Sequence, residues 1–380
     1  MRIASCEVFP LAYRWRETRE FIGGTAAVTR AVVVRLRTVE GVVGYGETPD
    51  GIWYGGYSQA GIAQTISDHL APVLIGRDPL EREALVAEMD VVVDAAHFAK
   101  AAVDFALHDL AGRILGVPAY VLLGGPCRKT VPLAGVVMWG SPEEAAQQAL
   151  FFTGLGFKTI KLKSGINPVA DVERVRVVRE AIGPDIPIRV DFNEGYIPTT
   201  AIQVIRKMEP YGIQFAEQPT LRTDLEGMAR VAQAVDTPIS ADDALYSPKQ
   251  AIELIRHRAA SVFNIYPLQA GGLIGAKRIQ AIAQAAGIKC FVGSMPGSSM
   301  EDVASLQFLA SVPDLDYACE CLASFVHDRD PLVTRPSVVD GEAVIPTGPG
   351  FGWDIDVQAL EDLAGSGTAM INRFQIGRVR

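Results

Sequence analysis

Five short apolar segments, each ending in charged or amide side chains, follow one another at an almost constant interval, and that interval limits the possible folds more than any other feature of the chain. The ends read Lys161-Leu-Lys163, Asp191-Phe-Asn193, Glu217-Gln-Pro219, Asp242-Asp243 and Asn264-Ile-Tyr266. Their separations are 191 − 161 = 30, 217 − 191 = 26, 242 − 217 = 25 and 266 − 242 = 24 residues. A strand, a helix and their connections occupy about 30 residues when eight such units share roughly 250. The interval is therefore that of a repeating strand–helix unit.

The same texture runs from the Gly124-Gly125-Pro126 cluster onward. Apolar segments predict strands near 131–137, 159–163, 188–191, 213–216, 239–241, 261–265, 289–292 and 317–319, with amphipathic helices between them that stop near Gly or Pro. Eight units predict a (β/α)8 (modified TIM) barrel of the α/β class over 126–330. Residues 1–125 read differently. Period-two alternation (Ile3, Cys6, Val8; 31–36; 42–46 after the Glu40-Gly41 turn) gives way to a helical period in which Ile62, Ile66, His69 and Leu70, then Val103, Leu107, Leu110 and Ile114, share faces. This is an N-terminal α+β capping domain. The turn-rich tail 331–380, with Pro346-Thr-Gly-Pro-Gly350, is expected to return to the cap and complete it.

Bulk properties exclude several functions. A chain of 380 residues with 49% hydrophobic content predicts about two domains. A net charge of −9 without a Lys/Arg cluster argues against nucleic acid. Five cysteines with no CxxC spacing point to a reducing compartment. The N-terminus lacks the pattern of a secretion signal, and no run of about 18 uncharged apolar residues exists to cross a membrane. A cytoplasmic enzyme acting on a small molecule is the expectation.

In a (β/α)8 barrel the reacting groups stand at the C-terminal ends of the strands. Asp191, Glu217 and Asp242, ending consecutive strands, converge there, and three anions at one barrel mouth require a cation. Oxygen-only ligands with positions left for water and substrate select Mg2+, one per subunit. Taken singly, each acid also suits the N-terminus of the following helix; three in register do not. Lys161 and Lys163 alternate on one strand and so face the same side. A lysine in water titrates near ~10.4 and a base working near neutrality needs about 7–8, so a neighbouring ammonium and a metal ion are the means of making such a strand end useful.

The pattern KxK, DxN, ExP and D[DE] at successive strand ends resembles the muconate lactonizing enzyme subgroup of the enolase superfamily. Gly44-Tyr-Gly-Glu47 resembles the family's cap-domain turn, Leu122-Leu-Gly-Gly125 the linker into the barrel and Gly348-Pro-Gly350 the return segment. The resemblance implies a Lys base with a magnesium-stabilised enediolate, acting on a small-molecule carboxylate, in a homo-oligomer. Lys163 would take the alpha proton and Lys161 would stabilise the enediolate. Thr25, Trp53 and Tyr54 from the cap loops, with Asn193, Ser294, Met295 and Glu320 from the barrel, would bind substrate.

Two positions depart from the family. Asp243 stands where the subgroup usually has Glu, which leaves Asp242 in place. Tyr266 stands where relatives that racemise or cycloisomerise carry a second base in the context Asn-Ile-Lys. A phenol titrating near ~10 is a poor second base, whereas elimination needs one base and a hydroxyl for the leaving group. The chain is thus similar to the branch that dehydrates cis-3-hydroxy-L-proline, making a hydro-lyase the first expectation. An amino-acid or dipeptide racemase or epimerase is the alternative. A Schiff-base lyase with Lys163 as nucleophile is the alternative of another class.

Overall fold

The computed structural model describes residues 1–21, 24–52, 54–295, 297–321 and 323–366. Three antiparallel strands open the chain: β1 (Ile3–Phe21), β2 (Gly24–Thr38) and β3 (Val43–Pro49), neighbours in that order. Val32, Val33 and Val34 are all fully buried, so β2 is covered on both faces. The cover on one face is the helix His97–Leu115, buried almost throughout.

Gly44-Tyr-Gly-Glu47, expected as a turn, lies inside β3. Its glycines serve close approach: a Cβ at Gly46 would stand 2.1 Å from the Ala102 carbonyl, and one at Gly44 2.5 Å from the Leu110 nitrogen. Only a strand without side chains on that face can lie flat on the helix.

After a short 3-10 turn, Ala119–Leu123, and β4 (Thr130–Pro132), seven parallel strands run in sequence order: β5 (Gly135–Val137), β6 (Ile160–Lys163), β7 (Ile188–Asp191), β8 (Ile213–Glu217), β9 (Ile239–Ala241), β10 (Val262–Asn264) and β11 (Lys289–Phe291). Four of the helices between them begin on side-chain caps, Ser141 with Glu144 as a capping box, then Asn167, Asp224 and Ser247, and Ser298 caps the helix that follows β11.

The expected eighth strand, 317–319, is reduced to a single parallel bridge, Leu133↔Cys319. Cys319 donates to Pro132 O and accepts from Ala134 N. Extending the ladder toward Tyr317 would need an N–H from Pro132, which has none. On its other side Glu320 donates to Val292 O beside β11, so the segment closes the circle as a modified (β/α)8 barrel.

The tail divides. Strand β13 (Glu342–Val344) pairs with β4 and carries β12 (Val338–Val339) on its other edge, while Phe351 N donates to Asp109 in the long cap helix and the helix Val357–Ser366 packs against β1. Among the described residues no helix is long and apolar enough to cross a membrane.

Candidate active site

Register places the charged residues in layers. Lys161 pairs with Arg189 across β6 and β7; one pleat further along, Lys163 pairs with Asp191 and Asp191 with Glu217 of β8. Residues of one layer point inward together. Asp191, Glu217 and Asp242 each offer an oxygen, and these oxygens lie within 4.8 Å of one another, all buried.

Lys161 is fully buried, its ammonium 2.9 Å from Glu217, 3.0 Å from Asp191 and 3.0 Å from Glu320. Burial alone would lower its pKa, but Asp191, Glu217, Glu320 and Asp242 together raise it well above the ordinary lysine value. Lys163 is 2.6 Å from Asp191 and donates to Asn193 at 3.0 Å; its side chain remains 15% exposed, beside the Trp139 ring.

The carboxylates respond to their neighbours. Burial opposes ionisation of Asp191, but the two ammonium groups outweigh it and bring the pKa to about 2. Glu217 is pushed up by burial and by Asp191, and Asp242 well up by burial, Asp243, Glu217 and Asp191. Glu217 Oε2 and Asp242 Oδ1 are buried without a hydrogen-bond partner. Counting formal charges, the acids Asp191, Glu194, Glu217, Asp242, Asp243 and Glu320 face Lys161, Lys163, Arg189 and Arg222, and 6 − 4 leaves two negative charges. Orphaned carboxylate oxygens and a deficit of two charges are what an oxygen-liganded divalent cation would satisfy.

Hydrogen bonds hold these side chains in place. Asn264, at the end of β10, donates to Glu217 at 2.9 Å and accepts from Gly293 N at 2.6 Å. Gln218 accepts from the Asp242 and Ala244 amides. Asn193, Glu194 and Gln218 all have left-handed backbone (φ 41°, 64° and 37°), strain that clusters at the mouth.

The remaining residues named from sequence fall into three groups. Asn193 and Glu320 sit on the lysines, Glu320 also 3.4 Å from Arg189. Tyr266, Ser294 and Met295 are buried at the mouth, the Tyr266 hydroxyl 3.5 Å from Ser294 O and the Ser294 hydroxyl directed to Asp302 and Met295 O. Burial and the charges of Asp242, Glu320 and Glu217 raise the Tyr266 phenol well above 10. Tyr54 reaches in from the cap, its phenol raised by burial and by Asp243, Asp242 and Asp191. Tyr57 stacks on Phe98 at 4.7 Å and belongs to cap packing. Trp53 and the Thr25 side chain lie outside the described residues.

Sequence reasoning missed Arg189 and the orienting role of Asn264. Arg189 had a signal: it stands two residues before Asp191 and therefore faces the same side.

A barrel with an acid triad and paired lysines at its mouth defines a class of enzymes that work on small molecules at strand ends. Comparison with known proteins gives the family. An enolase C-terminal domain-like profile matches residues 143–359, and the N-terminal domain profile of mandelate racemase / muconate lactonizing enzyme matches 8–124. The chain belongs to this family of the enolase superfamily.

It is 37% identical to the L-Ala-D/L-Glu epimerase of Bacillus subtilis over 76% of this chain and 79% of that one. It is 33% identical to muconate cycloisomerase 1 of Rhodococcus opacus over 87% and 90%. The dipeptide epimerase of Enterococcus faecalis, solved with Mg and the dipeptide L-Leu-L-Tyr, superposes with a TM-score of 0.89 at 32% identity, covering 93% of this chain and all of the other. These relatives are isomerases, which favours the racemase or epimerase expectation over the dehydratase.

Proposed function

We propose that this protein uses one lysine to remove the proton alpha to a carboxylate, and that its outcome is loss of a beta-hydroxyl as water from a small hydroxy amino acid of the cis-3-hydroxy-L-proline type. One observation carries the reading. Strands β6 and β10 stand four apart in the circle of eight, Tyr266 lies buried just past the end of β10 beside Asp242, Glu320 and Glu217, and its phenol is too weakly acidic to alternate with an amine as a second base.

Asp191, Glu217 and Asp242 would hold Mg2+, which supplies Lewis-acid stabilisation of the charge that builds on the substrate carboxylate. Lys163 takes the alpha proton as the C–H bond breaks. Lys161, kept protonated by its carboxylates, donates to the same developing charge, and Glu320 with Arg189 fixes where that ammonium stands. As the C–O bond breaks, the Tyr266 hydroxyl gives its proton to the departing oxygen, releasing water; the phenolate recovers a proton from solvent, and Lys163 releases its own. Tyr54 with Trp53 and Thr25 of the cap, and Ser294 and Met295 of the barrel, would enclose the substrate.

The second reading is an epimerase or racemase of amino acids or dipeptides, favoured by the activities of the relatives. The test is a screen of beta-hydroxy and N-alkylated amino acids with Mg2+ in D2O, comparing wild type, Lys163→Ala and Tyr266→Phe. A keto acid or cyclic imine supports dehydration. Deuterium in recovered substrate of inverted configuration overturns it in favour of the isomerase. Borohydride trapping of Lys163 with activity surviving EDTA overturns both and leaves the Schiff-base lyase.

A further inference from the structure

The cap loop between Gly51 and Tyr57 closes on itself. An antiparallel bridge joins these two residues, and between them Tyr54 N donates to Gly51 O at 3.0 Å and Gly56 N to Ile52 O at 3.1 Å. The neck of the loop is fixed to the cap: Tyr57 stacks on Phe98, and a Cβ at Gly51 would stand 2.6 Å from the same ring. None of these contacts holds the tip, which carries Tyr54, against the barrel.

The barrel supplies that contact itself. Tyr246 belongs to the loop that leaves β9 through Asp242, and its hydroxyl donates to the Tyr54 carbonyl oxygen. The tyrosine is firmly seated. Its amide donates to Gln250 Oε1 at 2.8 Å, its ring lies tilted against His97 at 5.6 Å, and only 7% of its surface is exposed.

Arg222, on the loop after β8, orients the hydroxyl: its Nη1 donates to Tyr246 at 3.3 Å. The arginine is anchored in turn to the loop after β7. Its amide and Nε donate to Glu194 Oε1 at 2.6 and 2.9 Å, Nη2 donates to Oε2 at 2.7 Å, and Nη2 is 3.4 Å from Asp243. A guanidinium gripped by two carboxylates has little freedom. A hydroxyl that accepts from it has one hydrogen to give, and gives it to the cap. The chain Glu194, Arg222, Tyr246 and Tyr54 thus crosses from barrel to cap through the loops that follow Asp191, Glu217 and Asp242. Burial, then the charges of Asp243, Asp242 and Asp191, raise the Tyr54 phenol, in keeping with a ring directed at the mouth.

We propose that Tyr246 is a positioning residue: oriented by Arg222, its hydroxyl latches the tip of the cap loop to the barrel and sets where Tyr54 enters the mouth. This rests on the reading above only in taking the mouth as the substrate site. The latch governs how firmly the cap closes over a bound molecule and takes no part in bond breaking.

Hydrogen exchange of the magnesium-loaded protein, read by mass spectrometry, tests this in wild type and Tyr246→Phe. The phenyl ring keeps its packing on His97 and loses only the hydroxyl. Exchange of the peptide spanning 51–57 is expected to quicken about tenfold, the worth of one hydrogen bond, while peptides from β7 to β9 keep their wild-type rates. Arg222→Gln leaves the hydroxyl without the group that orients it; it is expected to quicken the same peptide less, and it decides should Tyr246→Phe not fold. Titration calorimetry with cis-3-hydroxy-L-proline in the Lys163→Ala background, where the ligand is not consumed, is the second measurement. Tyr246→Phe and Tyr54→Phe are each expected to weaken binding about tenfold, and the double substitution no more than the stronger of the two. Unchanged exchange over 51–57, exchange that quickens equally throughout the barrel, or additive losses of affinity overturn the latch. Absence of cis-3-hydroxy-L-proline binding in every protein counts against the dehydratase alone, and the exchange rates then decide the latch.

Discussion

Lys161 and Lys163 stand two residues apart on β6 and face the same way, yet they occupy different environments. The deeper lysine has no exposed surface and three carboxylates within 3.0 Å; the outer one has one carboxylate, one amide oxygen and a path to solvent. A buried ammonium with three anions is held as a cation and cannot readily exchange its proton. The ammonium at the rim keeps contact with solvent beside an acid that a metal ion would engage. The sequence motif treats the two as equivalents, whereas one pleat of depth separates an ammonium enclosed by three carboxylates from one that reaches the rim.

The contrast is broken most directly at the outer lysine. Lys163→Ala is expected to lower turnover about 10²–10⁴-fold while leaving the melting temperature nearly unchanged, as steady-state kinetics and calorimetry on one preparation will show. The reverse signature is expected at the deeper position. Lys161→Met leaves Asp191, Glu217 and Glu320 without their shared cation, and breaking a buried ion pair costs about 3–5 kcal/mol, read as a lower denaturant midpoint. Excess Mg2+ should restore more of that loss than it adds to wild type, and EDTA should deepen it. Equal stability of the two variants would show that depth does not distinguish the lysines.

Glu47 of β3 sharpens the point, being a buried acid with no ammonium beside it. It accepts from the Ser298 amide at 3.2 Å and from the Ser298 hydroxyl, yet burial raises its pKa to about 7. A folded pKa above the unfolded value of 4.5 means that the native state holds the proton more tightly. Its contribution to stability is complete below about pH 4.5 and is lost as pH rises toward 7, on the order of 3 kcal/mol in all. Glu47→Gln is expected to remove that part of the pH dependence, so the difference between the two stability profiles should grow from pH 5 to 7. The smallest effect is expected at Tyr266→Phe, whose one hydrogen bond is long; stability should change by less than about 0.5 kcal/mol, with any loss confined to turnover.

What could be read in advance followed from periodicity. The acid triad and the lysine pair were legible because one strand–helix unit repeats and side chains on a strand alternate, which together specify a position in space from a position in sequence. The same rule gives Arg189, which sits between Ile188 and Val190 and looks like a solitary interruption unless counted from Asp191. Glu320 was named from the end of a strand, but its partners lie on β6 and β7, more than 130 residues away, and no local pattern carries that. The expected strand at 317–319 failed on the facing residue, Pro132, rather than on its own. Gly44 and Gly46 read as a turn because glycine more often marks one; here the missing side chains make room for a helix.

The return of the tail to the long cap helix sets an order of events during synthesis. Asp109 accepts from Tyr45 N at 2.9 Å and from Phe351 N at 2.8 Å, and Gly350 is pressed against Gly112 so closely that a methyl group there would collide. One carboxylate thus joins the first fifty residues to the last thirty-odd. The ribosome delivers the first strands long before the segment that finishes their surroundings, so the cap must wait, partly open, until the barrel has been made.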